Sequence, residues 1–172
     1  MSRRLYLLRH AKSSWEDPAL ADHDRPLAGR GRRAATAVAA HIATHALVPD
    51  LVLCSTSART RETYQRIESA LAGAPVLFER GVYAASADDL LARLRMVPDQ
   101  VTSVLVIGHN PGLEDLALLL ARPSLERDSL QTKFPTAALA TLDLTGSHWS
   151  ELGRDCANLT AFVRPRDLGA AR

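Results

Sequence analysis

Residues 101–107 read Val-Thr-Ser-Val-Leu-Val-Ile and run straight into Gly108-His109-Asn110. A nearly continuous, β-branched apolar run fits a strand buried on both faces, as in a sheet with helices on each side. The rest of the chain has matching pieces. Short apolar strands are expected at residues 4–8, 50–54, 76–78, 138–144 and 159–163, and helices at 29–45, 55–71, 88–96 and 112–120. In the first helix Ala35, Val38, Ala39 and Ile42 share one face, and Pro49 stops it. In the third, Leu90, Leu91 and Leu94 face inward. Strands alternating with helices predict an α/β fold, a three-layer α/β/α sandwich with a mostly parallel central sheet. The 172 residues suit one domain (1–172) that buries its own core, with residues 165–172 expected to fray.

Charge narrows the function classes. With 21 basic and 19 acidic side chains the net charge is only +2, and no polybasic tail is present. Neither a nucleic-acid partner nor a membrane surface is indicated. Arg25, Arg30, Arg32 and Arg33 do gather near the start of the first helix, where a solvated helix start is the simpler reading and a polyanion site the other. Cys54 and Cys156 are isolated, which makes neither a disulfide framework nor a zinc site. With no signal-peptide core around residues 5–8 and no stretch of membrane-spanning length, a cytoplasmic location is expected.

In an open α/β sheet, ligands bind beyond the carboxyl ends of the strands. Three predicted strands end in reactive residues: the first in Arg9-His10, the second in Ser55 followed by Arg59, and the long apolar strand in Gly108-His109-Asn110. If these strands are parallel neighbours, two histidines and two arginines meet at one sheet edge. Arginines clamp a phosphoryl group through planar, bidentate hydrogen bonds. A neutral imidazole can attack phosphorus to give a covalent intermediate, and a second can donate to the developing charge. The irregular segment 11–27, with Trp15, Pro18, Pro26 and several acids, is a loop and a candidate functional surface. His10 and His109 lack ligand-spaced partners, so no metal is expected, and Ala28-Gly29-Arg30-Gly31 is not a P-loop. His23, His41, His45 and His148 read as loop or helix-surface residues.

These residues carry a family resemblance. Residues 7–12 (LLRHAK) resemble the Arg-His-Gly signature of the histidine phosphatase superfamily, also called phosphoglycerate-mutase-like. Residues 55–63 (STSARTRET) resemble its second signature, and residues 108–116 (GHNPGLEDL) the segment carrying the second histidine. Residues 25–31 (RPLAGRG) are similar to its Pro-Leu-then-Gly block. The whole length, with RHAKSSW, DRPL and KFPTAAL, resembles the short SixA-like branch. The resemblance implies that His10 is the nucleophile, that Arg9 and Arg59 bind the phosphoryl group, and that His109 completes the pocket. Arg25 becomes a candidate for the rim, and Ser55 and Thr63 candidates for helix cap and packing. Ala11 departs from the usual glycine.

The leaving group calls for a carboxylic acid. Glu79, just after the third strand, is the best positional match, with a salt bridge to Arg80 or a neighbour as the competing reading. Glu114, Asp17, Asp22 and Asp24 are alternatives, and SixA-like proteins work without a fixed acid if the leaving group is already good. The expected function is a metal-independent, cofactor-free phosphohydrolase acting on a phosphorylated protein, phosphohistidine included, or a small phosphomonoester. The rivals are a phosphoglycerate mutase, disfavoured by the short chain, and a non-catalytic phosphate-binding adaptor.

Overall fold

In the computed structural model, which describes residues 2–169, six strands form one sheet: β1 (Arg4–Arg9), β2 (Leu51–Ser55), β3 (Val76–Glu79), β4 (Ser103–Gly108), β5 (Leu139–Leu144) and β6 (Ala157–Val163). Five helices accompany them: α1 (Gly29–Thr44), α2 (Ala58–Ile67), α3 (Ala87–Arg95), α4 (Gly112–Leu120) and α5 (Leu125–Thr132). The sheet order is β3-β2-β4-β1-β5-β6. The first four strands are mutually parallel; β5 runs antiparallel to β1 and β6 antiparallel to β5.

The strand period of two sorts the core onto two faces. Leu5, Leu7, Val104 and Val106 point to α3 and α4, where Leu90, Leu94, Leu113 and Leu116 cover them. Tyr6, Leu8, Leu105 and Ile107 point the other way, beneath Ala35, Val38 and Ile42 of α1 and Ile67 of α2. This is the expected three-layer sandwich. β1 and β4 lie side by side, with Arg9 paired to Gly108, while α1 and α4 leave them toward opposite faces. That is the crevice in which open α/β sheets bind ligands.

Three local expectations change. The second helix starts at Ala58, not at residue 55, because Ser57 is its cap and accepts from Thr60 N–H. α5 was not anticipated: its sequence LERDSLQT is largely polar, and only Leu130 is buried. The tail, expected to fray from Pro165, has local structure in its first four residues. Pro165–Leu168 forms a 3-10 turn with Leu168 against the α1-side core, and residues 170–172 lie outside the described residues.

The loop after β1 is pinned on α1. The Lys12 carbonyl accepts from Ala28 N–H at 2.8 Å, and a Cβ on Gly31 would sit 2.1 Å from that same oxygen. Backbone cannot swing aside as a side-chain tip can. Gly31→Ala is therefore expected to cost about 1–3 kcal/mol, read as a lower denaturant midpoint. An unchanged midpoint would show that the loop yields freely.

Candidate active site

The parallel pairing of β1, β4 and β2 carries Arg9-His10, His109 and Arg59 to one sheet edge. The His10 and His109 rings lie 5.2 Å apart, and His10, His109 and Arg59 are each 7% exposed. His10 is held by backbone on both sides. Its N–H donates to Gly108 O, while Ala137 N–H, from the loop before β5, donates to the carbonyls of both Arg9 and His10. His10 Nδ1 stands 2.8 Å from the Ala11 carbonyl oxygen. A carbonyl only accepts, so Nδ1 carries the proton and Nε2 keeps its lone pair. The Ala11 peptide is itself anchored, because its N–H donates to Thr63 Oγ1, which donates on to Arg59 O. Thr63 thus packs and also fixes the His10–Ala11 peptide, which adjoins the carbonyl that sets the His10 tautomer.

His109 Nε2 lies 2.7 Å from Ser55 Oγ, and its Nδ1 faces Arg59 Nη2 at 3.3 Å. Arginine only donates, so in the neutral ring Nδ1 accepts and Nε2 donates to Ser55. Ser55, expected as a helix cap, is instead the prop of His109. Arg59 spends its fork on Asp22, with Nη1 to the main-chain oxygen at 2.6 Å and Nη2 to Oδ2 at 2.9 Å. Arg9 Nη1 donates to Phe134 O, while its buried Nε has no hydrogen-bond partner among the described residues. Two arginines and two imidazoles thus converge on one crevice, an arrangement able to hold a tetrahedral oxyanion beside an unprotonated imidazole nitrogen.

The chain matches the family model of the histidine phosphatase superfamily (branch 1) over residues 5–82. It is 33% identical to SixA of Agrobacterium tumefaciens, with a TM-score of 0.83 over 96% of this chain and 99% of that one. The protein belongs to the SixA-like branch of the histidine phosphatase superfamily. SixA of Nakamurella multipartitia is likewise 33% identical, with a TM-score of 0.80 over 96% of this chain and 97% of that one. An uncharacterized protein of Mycobacterium tuberculosis is 37% identical over 163 residues, which span 92% of this chain and all of the relative.

On this SixA-like frame the remaining candidates are placed unequally. Glu79 is not joined to the histidines. Its two oxygens accept from Arg93 Nε and Nη2 at 2.8 and 2.7 Å, so the salt-bridge reading fits, with Arg93 of α3 as partner instead of Arg80. Glu114 accepts from Asn110 Nδ2 at 3.0 Å, on the Arg9 side of the crevice. Arg25 is buried within the loop, bonding Ser13 Oγ, Ser14 O and Asp22 Oδ1 and stacking 3.2 Å under the Trp15 ring. It braces Asp22 and does not face the histidines. Asp17 accepts from Ala19 N–H within its own turn, and Asp24 contacts His23 at 3.3 Å.

Asp22 is the first-loop acid that reaches the cluster. Hydrogen bonds from Tyr83 and then Arg59 hold its carboxyl down at about 2, opposite to what a general acid needs. Two rim residues escaped the sequence reading. Tyr83 donates to Asp22 at 2.8 Å and packs edge-on against His109, and no local pattern marks it. His23, read as a surface residue, bonds Thr56 Oγ1 at 2.9 Å and packs edge-on against Tyr83. Among the described residues no helix is long and apolar enough to cross a membrane, and no three His, Cys, Asp or Glu side chains gather as a metal-binding group.

Burial, ahead of the neighbouring cations, pushes His10 down to about 3 and His109 to about 4. Both rings are therefore neutral near pH 7. The sign for stability follows. The unfolded chain, with histidines near 6.5, binds more protons than the folded one once pH drops below that value, so stability falls as pH falls toward 4. The expected loss between pH 7 and pH 5 is at most about 2 kcal/mol per histidine, read from denaturant midpoints at the two pH values. A flat profile would mean that these rings are charged or freely solvated in the native state.

Proposed function

We propose that this protein is a phosphohydrolase that works through a covalent phosphohistidine on His10. The observation that carries the reading is the Nδ1–H to Ala11 carbonyl bond, which leaves a neutral, buried Nε2 lone pair amid Arg9, Arg59 and His109. His10 Nε2 attacks phosphorus, the N–P bond forms, and the bond to the leaving group breaks. Water then attacks phosphorus, breaking the N–P bond and releasing inorganic phosphate. Arg59 turns from Asp22 to the phosphoryl oxygens, and the unpartnered Arg9 Nε supplies a further donor. A bound dianion favours the charged form of His109, against the burial and the neighbouring cations that keep the ring neutral in its absence. Protonated at Nδ1 and still bonded to Ser55 through Nε2, that ring then donates to the charge developing on phosphorus.

For the substrate we favour a phosphohistidine over an alkyl phosphomonoester. Glu79 is engaged by Arg93 and Asp22 is held at about 2, so neither offers a proton to a poor leaving group. A phosphoimidazole protonated from solvent leaves as neutral imidazole and needs no fixed acid. Both SixA relatives bear the provisional name of phosphohistidine phosphatase, which agrees with this choice. The test is phosphate release from a phosphohistidine protein and from p-nitrophenyl phosphate, side by side, with His10→Ala as control. Turnover confined to the phosphohistidine supports the acid-free reading, and comparable turnover of both points to a broader phosphatase. Turnover of neither, with phosphate still bound, would leave a phosphate-binding adaptor.

A further inference from the structure

A cavity of about 360 Å³ opens beside the loop that follows His10. That volume falls in the range of small-molecule sites. Its walls come from four separate segments: the loop after β1, the start of α1, the α5–β5 connection and the turn after β6. Five of its lining residues are cations: Lys12, Arg30, Lys133, Arg164 and Arg166. The only ion-pair partner these five have among the described residues is Asp167, 3.3 Å from Arg164 and 3.9 Å from Arg166. Five positive charges against one carboxylate at one cavity exceed the net charge of the entire chain, which is +2. The concentration is therefore local, and such clusters gather anions by focusing the field within a cleft. Ala34, Pro135 and Pro165 add an apolar part of the wall that no phosphate alone would need.

The cavity is distinct from the histidine crevice, because none of Arg9, His10, Arg59 and His109 lines it. It is also coupled to it by shared backbone. Lys12 lies two residues beyond His10, and Pro135 and Thr136 directly precede Ala137, whose N–H holds the carbonyls of Arg9 and His10. The ends of β1 and β6 reach the same sheet edge, since Leu8 and Val163 both pair with Leu139.

We propose that this cavity binds a small organic oligophosphate of about nucleotide size, its phosphates on the five cations and its organic body against Ala34, Pro135 and Pro165. The arginine forks suit phosphate oxygens, and the lysines add point charges. The same chemistry could come from two sources: the far end of a substrate whose reacting phosphate sits at His10, or a separate effector.

The test is titration of ADP into the His10→Ala protein, which removes turnover from the readout, followed by amide NMR shifts and a Kd. Its outcome does not depend on whether the phosphohydrolase reading holds. Saturable binding is expected, with shifts centred on Lys12, residues 132–136 and residues 164–166. Lys133→Ala with Arg166→Ala, both exposed positions, should raise the Kd at least about tenfold. Arg32→Ala with Arg66→Ala, at a separate basic depression, should leave it within about twofold. Orthovanadate held by Arg9, Arg59 and His109 of the same variant then distinguishes the sources: displacement of ADP means one ligand spanning both sites, and simultaneous binding means an effector. The proposal is overturned by shifts confined to the histidine crevice, by equal weakening in both double variants, or by no saturable binding below about 10 mM.

Discussion

His10→Ala is expected to lower kcat by at least about 10³-fold while the protein still folds and still binds phosphate. The imidazole is the only group in the crevice with a free, unprotonated nitrogen fixed by its own backbone: Nδ1 is committed to Ala11 O, and the His109 Nδ1 already accepts from Arg59. Arg9, Arg59 and His109 remain to hold an anion, so binding and turnover should separate. In the parent, acid-quenched samples should carry a transient, acid-labile phosphate that the variant lacks. The variant should also lose less stability than the parent between pH 7 and pH 5, because it no longer buries a ring held at about 3. Near-normal turnover in His10→Ala would falsify the nucleophile assignment outright.

Arg59→Ala is expected to reduce kcat/KM by about 10²–10³-fold, with phosphate affinity weakened as well. Arg59 is the arginine that touches both His109 and the first loop, and it is nearly fully buried. Removing it strips a charged donor from the phosphoryl site. It also frees Asp22, which keeps its bonds from Tyr83 and Arg25 and so still has a place in the fold. Arg59→Lys should recover only part of the loss, since an ammonium cannot reproduce the fork that now spans the main-chain and carboxylate oxygens of Asp22. Full recovery with lysine would reduce Arg59 to a point charge, and an unaffected Arg59→Ala would place the phosphoryl group elsewhere.

The two predictions differ in how far local sequence reached. Arg9-His10 and Gly108-His109 were visible because each follows an apolar run whose end could be read, and because open α/β sheets place ligands at such ends. Ser55 is visible as a residue but not in its role: the local pattern predicts a helix from residue 55, whereas Ser57 caps α2 and leaves Ser55 free for His109. Glu79 matched by position alone, and its partner Arg93 lies a helix away. Asp22 stood among several loop acids with nothing to single it out. Its meeting with Arg59 and Tyr83 joins three segments far apart in the chain.

What this sequence determined by itself was the succession of strands and helices, the two-faced burial of the central strands, and which residues sit just beyond each strand. All of these follow from local periodicity and propensity within a few residues. The tertiary structure alone decided that β4 inserts between β1 and β2, bringing His10, His109 and Arg59 to one crevice. It also decided the protonated nitrogen of each ring, the bracing of Arg59 by Asp22, and the gathering of five cations from four segments at one cavity. Those outcomes rest on pairings between distant residues, where packing of the whole chain selects one partner among many of the same chemical type.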